Sequence, residues 1–251
     1  MTEHPVDDQY ATIGEQFQQT APRALLRESL LTPAFMETVG NVAGKSCLDL
    51  ACGDGYYTRM LREAGAARLV GVDISQKMID LAKAEEAKSP HGIEYLTSDV
   101  TELPDLGEFD VVTAVFLLHY ASSKAELEAM CNAIAQHTAK VGRFITVNTN
   151  PEHPVRKDHK YSFTRLAANE PPQEGDILTL SHYEGDIPKY SFDFYHWSKA
   201  TYESALREAG FTSIEWRVPT ITAEAVSKFG DDFWQDYREH PNHSIIVCEK
   251  T

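Results

Sequence analysis

Cysteine is scarce in this chain, and the four that occur, Cys47, Cys52, Cys131 and Cys248, form neither a C-x-x-C pair nor a zinc-like spacing with histidine. A disulfide framework is excluded, and no metal site is expected. Three of the four lie inside apolar runs, where a cysteine reads as a small buried hydrophobe, and a reducing, cytoplasmic compartment is the expectation. Long hydrophobic stretches are also missing. The longest, 109–118, is broken by Asp110 and Thr113 and falls short of the roughly 20 residues that cross a bilayer, so no membrane partner is expected. The opening MTEHPVDDQY lacks the basic and apolar regions of a signal peptide. Positive charge is in deficit: 23 Lys plus Arg face 38 Asp plus Glu, a formal net charge of -15. A field of that sign repels phosphate backbones, so no nucleic acid is expected. Repeats and low-complexity tracts are absent. The 251 residues, 42% of them apolar and 24% charged, suit one globular domain or a domain with a lid, as monomer or homodimer.

From residue 46 onward, short apolar runs alternate with amphipathic stretches, the pattern of parallel strands crossed by helices. Strands are predicted over 46–51, 68–72, 93–97, 109–118, 143–148, 213–218 and 244–249, making an α/β fold with a doubly wound, seven-stranded sheet. Between them, Tyr57, Met60 and Leu61 recur at helical spacing, as do Met78, Ile79 and Ala82 behind a predicted Ser75 N-cap. Ser123 with Glu126 reads as a capping box ahead of Leu127, Met130 and Ile134, and Ser198 caps a helix stopped by Gly210. The acidic run 224–239 reads as a solvated helical face with Phe229, Phe233 and Trp234 turned inward.

Two regions depart from this rhythm. Residues 1–40 read as a helical lid with Tyr10, Ile13 and Phe17 on one face. Residues 151–197 read as a mainly β insert within a 41–251 domain, with strands at 177–183 and 190–196. In the insert Leu178, Leu180 and His182 alternate with polar residues; Tyr190, Phe192, Phe194 and His196 alternate with Ser191, Asp193 and Tyr195. The lid and the insert are expected to cover a site at one edge of the sheet and to form its acceptor pocket.

In an open parallel sheet, ligands bind beyond the carboxyl ends of the strands, first at the turn after strand one. Here that turn is Asp49-x-x-Cys52-Gly53-Asp54-Gly55. Its glycines allow backbone to approach a ligand, and the following helix offers free N–H groups. Asp73, eighteen residues past Gly55, ends the second strand, where a carboxylate can accept both hydroxyls of a ribose; Asp99 ends the third. A dinucleotide fingerprint G-x-G-x-x-G would need glycine where Thr58 stands. Asp49 and Asp54 would repel a pyrophosphate but suit an ammonium and a sulfonium. The expected ligand is a positively charged nucleoside, and an NAD oxidoreductase is disfavoured.

The first motif, Leu48-Asp49-Leu50-Ala51-Cys52-Gly53-Asp54-Gly55, resembles that of class I S-adenosylmethionine-dependent methyltransferases, whose fold is Rossmann-like. The resemblance continues through Val70-Gly71-Val72-Asp73-Ile74-Ser75, Ser98-Asp99-Val100, Phe109-Asp110-Val111-Val112 and Gly142. The local stretch from Cys52 to Arg59, with Ala66-Ala67-Arg68 behind it, is similar to the toxoflavin-synthase group of small-molecule N-methyltransferases. The resemblance implies S-adenosylmethionine as cofactor. It puts Ala51, Gly53 and Gly55 along the methionine part beside Asp49 and Asp54, Asp73 on the ribose, and Ile74 and Met78 against adenine. It puts Ser98, Asp99 and Val100 at the exocyclic amine, Phe116 below the sulfonium and Tyr10 over the cofactor. A Lys140-Val141-Gly142-Arg143 segment replaces the K-P-G-G turn of common forms, which bears on turn rigidity.

The implied reaction is methyl transfer to a small, heteroaromatic acceptor, with N-methylation favoured and O-methylation open. The alternative is a non-catalytic S-adenosylmethionine-binding sensor or assembly subunit. His119, predicted to end the fourth strand beside the transfer point, is the candidate base, or else only a hydrogen-bond partner for a neighbouring carbonyl. Tyr10, His119, His182 and Tyr195 are the candidate acceptor contacts.

Overall fold

The computed structural model describes residues 9, 10, 12 and 25–250, so Ile13 and Phe17 of the expected lid lie outside the described residues. A π-helical turn, Arg27–Leu31, runs into α1 (Thr32–Val39). Then follow β1 (Ser46–Leu50), α2 (Tyr56–Glu63), β2 (Arg68–Asp73), α3 (Gln76–Lys88), β3 (Glu94–Thr97), β4 (Phe109–Val115), α4 (Lys124–His137) and β5 (Thr138–Thr149). The insert contributes β6 (Phe163–Ala167), β7 (Ile177–Glu184) and β8 (Ile187–Tyr195). The chain closes with α5 (Lys199–Glu208), β9 (Ser213–Arg217), α6 (Ala223–Phe229), α7 (Asp231–Glu239) and β10 (His243–Glu249).

Seven strands form one sheet in the order β3-β2-β1-β4-β5-β10-β9, with β10 antiparallel to both neighbours and the other pairs parallel. Alternation along the strands feeds two cores. Cys47, Val111 and Ile145 face one, under α1, α2, α3 and α7, while Leu48, Val112 and Phe144 face the other, under α4 and α5. The chain moves outward from β1 to β3 and returns to lay down β4 on the other side of β1. That reversal opens a crevice beyond the carboxyl ends of β1 and β4.

The differences from the sequence-based expectations have local causes. The apolar run predicted as one strand over 109–118 leaves the sheet at Val115: Phe116 takes φ 65° and a 3₁₀ turn, Leu118–Tyr120, follows. Hydropathy cannot separate a central strand from a buried turn that continues it. Ser75 stands at the N-cap of α3, but its side chain makes no cap; its N–H is held by Asp73 instead. Ser123 does cap α4, whereas Glu126 closes back on Ser122. The acidic run folds as α6 and α7, with Trp234 fully buried and Phe229 and Phe233 half-buried against the same core.

The insert is a three-stranded antiparallel sheet, β6-β7-β8. Its β6, with Arg165 at the centre, does not read as an apolar strand. Among the described residues, all four cysteines are free and buried, no group of side chains suits a metal, and no helix is long and apolar enough to cross a membrane.

Candidate active site

The turn after β1 is a run of left-handed residues, with Ala51 at φ 52°, Gly53 at 56° and Gly55 at 78°. The two glycines serve different ends. A Cβ on Gly53 would meet only the Met78 methyl, at 3.3 Å, leaving its other side to the crevice. A Cβ on Gly55 would land on the Tyr95 hydroxyl, with Arg59 Nη1 2.9 Å away. Gly55 is therefore required by the packing of Tyr95 and does not line the cavity, contrary to the expectation for it.

Asp73 clamps this turn. Its Oδ2 accepts the Gly53 N–H at 2.8 Å and its Oδ1 the Ser75 N–H at 2.9 Å, tying the β1–α2 turn to the β2–α3 junction. A carboxylate oxygen accepts more than one hydrogen bond, so the clamp is compatible with a ribose diol on the cavity side. Asp49, at the end of β1, is buried and accepts from Thr58 Oγ1 at 2.6 Å and Thr113 Oγ1 at 2.8 Å. Thr58, the residue that spoils a dinucleotide fingerprint, is thus a partner of the acid. Burial lifts the Asp49 carboxyl to about 6 against the pull of the two threonines. Burial also raises Asp54, opposed by Arg59 and Arg27.

Asp49 carries a pH prediction. Its folded pKa lies above its unfolded one, so the folded state holds the proton more tightly, and stability falls as pH rises through the window from about 4 to about 6, by up to about 3 kcal/mol. Thermal melts of the ligand-free protein should show this slope, and Asp49→Asn should flatten it. A cationic ligand needs the ionised form, so its affinity should drop as pH falls below about 6. An unchanged slope in the variant would remove Asp49 as its source.

One continuous cavity, about 1630 Å³ including open solvent at its mouth, begins at this turn. Ala51, Gly53 and the acids Asp49, Asp54 and Asp73 line its first part. Ile74, Met78 and Val100 line it next, together with Ser98 and Asp99. Asp99 Oδ1 is engaged by Thr101, from N at 2.7 Å and from Oγ1 at 2.8 Å. Arg27, which no motif marked, lines the same end, its guanidinium 4.8 Å from the centre of the Tyr56 ring and 5.2 Å from that of Tyr57.

The second part lies between Phe116 and the insert. Register puts Phe163 and Arg165 of β6, Leu180 and His182 of β7, and Phe192 and Phe194 of β8 on the face that walls the cavity. Tyr195 pairs with Ile177 on the opposite face and packs toward the α4–α5 core. Tyr195, expected to meet the acceptor, therefore does not line the cavity, whereas Tyr190, Phe192 and Phe194 do. Tyr10 lies over this part, its hydroxyl 2.7 Å from that of Tyr120 and its ring packed on Phe192. Gln9 beside it bonds the backbone of Asp193 twice, at the edge of β8.

His119 is at the cavity wall, in the 3₁₀ turn after β4 and between Phe116 and Phe194, at 5.7 and 4.7 Å between ring centres. Burial, aided by the charge of Arg165, pushes its conjugate acid down to about 3, so the ring stays neutral and takes up protons poorly. His182 stacks on Tyr190 with rings 5.1 Å apart, and both its ring nitrogens are buried without a partner.

A methyltransferase-domain family matches residues 47–142, the segment from β1 into β5. A demethylmenaquinone methyltransferase from Lactococcus lactis is 31% identical over 188 residues, covering 72% of this chain and 71% of that protein. The chain belongs to the class I S-adenosylmethionine-dependent methyltransferases. A ubiquinone biosynthesis O-methyltransferase from Bordetella parapertussis is 32% identical over 123 residues, and the chain covers about half of it, 49%. The CcbJ methyltransferase from Streptomyces caelestis shares the fold at a TM-score of 0.67 and 16% identity, with both chains covered in full, 100%.

The cofactor of this methyltransferase is S-adenosylmethionine, and the residues at the glycine turn suit it. Carboxylates surround the place where an ammonium, a sulfonium and a ribose diol would sit. Ile74, Met78 and Val100 supply apolar surface for a purine face, with Ser98 and Asp99 beside them for its polar edge.

Proposed function

We propose that this methyltransferase methylates a small, planar heteroaromatic acceptor, at a ring nitrogen in preference to oxygen. One observation carries the proposal: the acceptor half is walled by aromatic rings, Phe116, Tyr190, Phe192 and Phe194 among them, and its histidines are buried, which makes them weak bases. Burial lowers the conjugate acids of His119, His182 and His243, so each holds a proton weakly, and it keeps the Tyr10 and Tyr120 hydroxyls protonated. A ring nitrogen brings its lone pair without help, whereas a neutral phenol would have to lose a proton first. The resemblance to the toxoflavin-synthase group supports the same choice.

Bound S-adenosylmethionine supplies an electrophilic methyl group. Asp73 would hold the ribose, Ile74, Met78, Ser98, Asp99 and Val100 the adenine, and Ala51, Gly53, Asp49 and Asp54 the amino-acid end, with Arg27 near enough to meet its carboxylate. Phe116 would face the sulfonium. The 151–197 insert and the segment bearing Tyr10 would form the acceptor pocket, and the two bonds from Gln9 to Asp193 hang that segment on the insert's edge. These residues orient the acceptor for in-line attack and keep water out, which is the chief contribution a methyltransferase makes.

The test is turnover with a panel of ring-nitrogen heteroaromatics and matched phenols, read as S-adenosylhomocysteine formed. Turnover with none of them, alongside normal cofactor binding, would favour the sensor alternative. With an active acceptor, His182→Ala should raise KM roughly 2- to 12-fold, the worth of a stacked ring at about 0.5 to 1.5 kcal/mol. Tyr195→Ala, on the far face of the insert sheet, should leave KM unchanged. The reverse pattern would place the acceptor on the wrong side of that sheet.

A further inference from the structure

Arg165 is fully buried on the cavity-facing side of β6. Its Nη1 donates to the Asn242 carbonyl at 3.0 Å and its Nη2 to His243 Nε2 at 3.2 Å, while its Nε–H has no partner. Among the described residues no carboxylate pairs with it; the ionisable groups around it are Tyr237, the guanidinium of Arg156 and the rings of His119 and His243, and its guanidinium faces the Phe163 and Phe194 rings at 5.2 and 5.7 Å. Acids are present in this corner, but Asp158 and Asp236 both engage Arg156, whose backbone bridges to that of Arg165. Burial lowers Arg165 only to about 9, so it stays a cation at neutral pH.

A buried cation without a counter-ion is costly, and a bound anion would offset that cost. Polar atoms nearby also lack partners: His119 Nδ1 and both ring nitrogens of His182. The cavity is thus polarised. Asp49, Asp54 and Asp73 gather at the glycine turn, with Asp99 after β3 beside them and Arg27 near Asp54, whereas Arg165 stands on the insert side with no carboxylate of its own among the described residues. With a sulfonium bound as well, the space between holds positive charge on both sides.

We propose that the acceptor binds as an organic anion whose oxyanion, a carboxylate or an ionised phenol or enol, pairs with Arg165, which thereby determines specificity for that charge state. This rests on the reading of the insert side of the cavity as the acceptor site. The acceptor's lone pair becomes the new bond to the methyl carbon, and the carbon–sulfur pair remains on sulfur. The charge lost from the sulfonium is balanced by the acceptor's own negative charge. No proton has to move, in keeping with a pocket whose described histidines are buried and weakly basic.

The test is calorimetry on the full chain loaded with S-adenosylhomocysteine, near neutral pH, with matched probes. Benzoate is compared with benzamide for the carboxylate, and 4-nitrophenol is titrated across its ionisation for the phenolate. At least one anion should bind about tenfold or more tighter than its neutral counterpart. Arg165→Gln should erase that preference and Arg165→Lys should keep most of it, with cofactor-product affinity unchanged in both. Neutral probes binding as well as anions, no anion binding at millimolar concentration, or a preference surviving in Arg165→Gln would each overturn the proposal. The wild-type comparison and Arg165→Lys decide it if the glutamine variant does not fold. Failure of wild-type protein to bind S-adenosylhomocysteine would instead overturn the cofactor site on which the proposal rests.

Discussion

Gly53→Val is expected to abolish S-adenosylmethionine binding, by at least about 100-fold, while the protein stays folded. The residue sits at φ 56°, a region that costs a non-glycine residue about 1 to 2 kcal/mol. One branch of the valine would press on Met78, whose methyl lies 3.3 Å from where the Cβ would stand, and the other would enter the space beside Asp73 where ligand and backbone meet. The strain alone should lower the melting temperature by about 2 to 8 °C. Gly55→Ala is the informative companion: its added methyl falls on Tyr95, so it should lose more stability than Gly53→Ala. Calorimetry with S-adenosylhomocysteine and thermal melts read both effects. Near wild-type affinity in Gly53→Val would mean that the turn only shapes the chain.

Asp73→Ala should weaken cofactor binding by about 100-fold or more, since two charge-assisted bonds to ribose are each worth about 1.5 to 3 kcal/mol. The structure adds a second loss. The variant leaves the N–H groups of Gly53 and Ser75 without their acceptors, so the glycine turn loosens even without ligand. Asp73→Asn keeps one oxygen and should fall between wild type and alanine. Hydrogen exchange at Gly53 and Ser75 should quicken in the ligand-free alanine variant. Unchanged affinity in Asp73→Ala would remove the residue from the site.

The parts of the site legible in the sequence are those built from one strand end and the turn after it. Asp49, Gly53, Asp73 and Asp99 each lie at or just past the end of an apolar strand, and parallel strands must end on the same edge, so their convergence follows from order and spacing. Alternation in the insert is equally readable: Phe192 and Phe194 share a parity that Tyr195 does not, and the structure keeps to that parity. An acceptor contact at Tyr195 conflicts with it.

The α/β class, the seven-stranded sheet and the glycine turn with its acids follow from the order of residues alone, because they depend on periodicity and on contacts between neighbours in the chain. What depends on distant segments meeting had to wait for the folded molecule. Folding brings Arg165, from a strand no apolar pattern announces, beside His243 of β10 and leaves it without a carboxylate among the described residues. It sets His119 so deep among Phe116, Phe194 and Arg165 that desolvation removes its basicity. Burial and charge pairing are sums over all neighbours in space, and a residue's place along the chain fixes few of them.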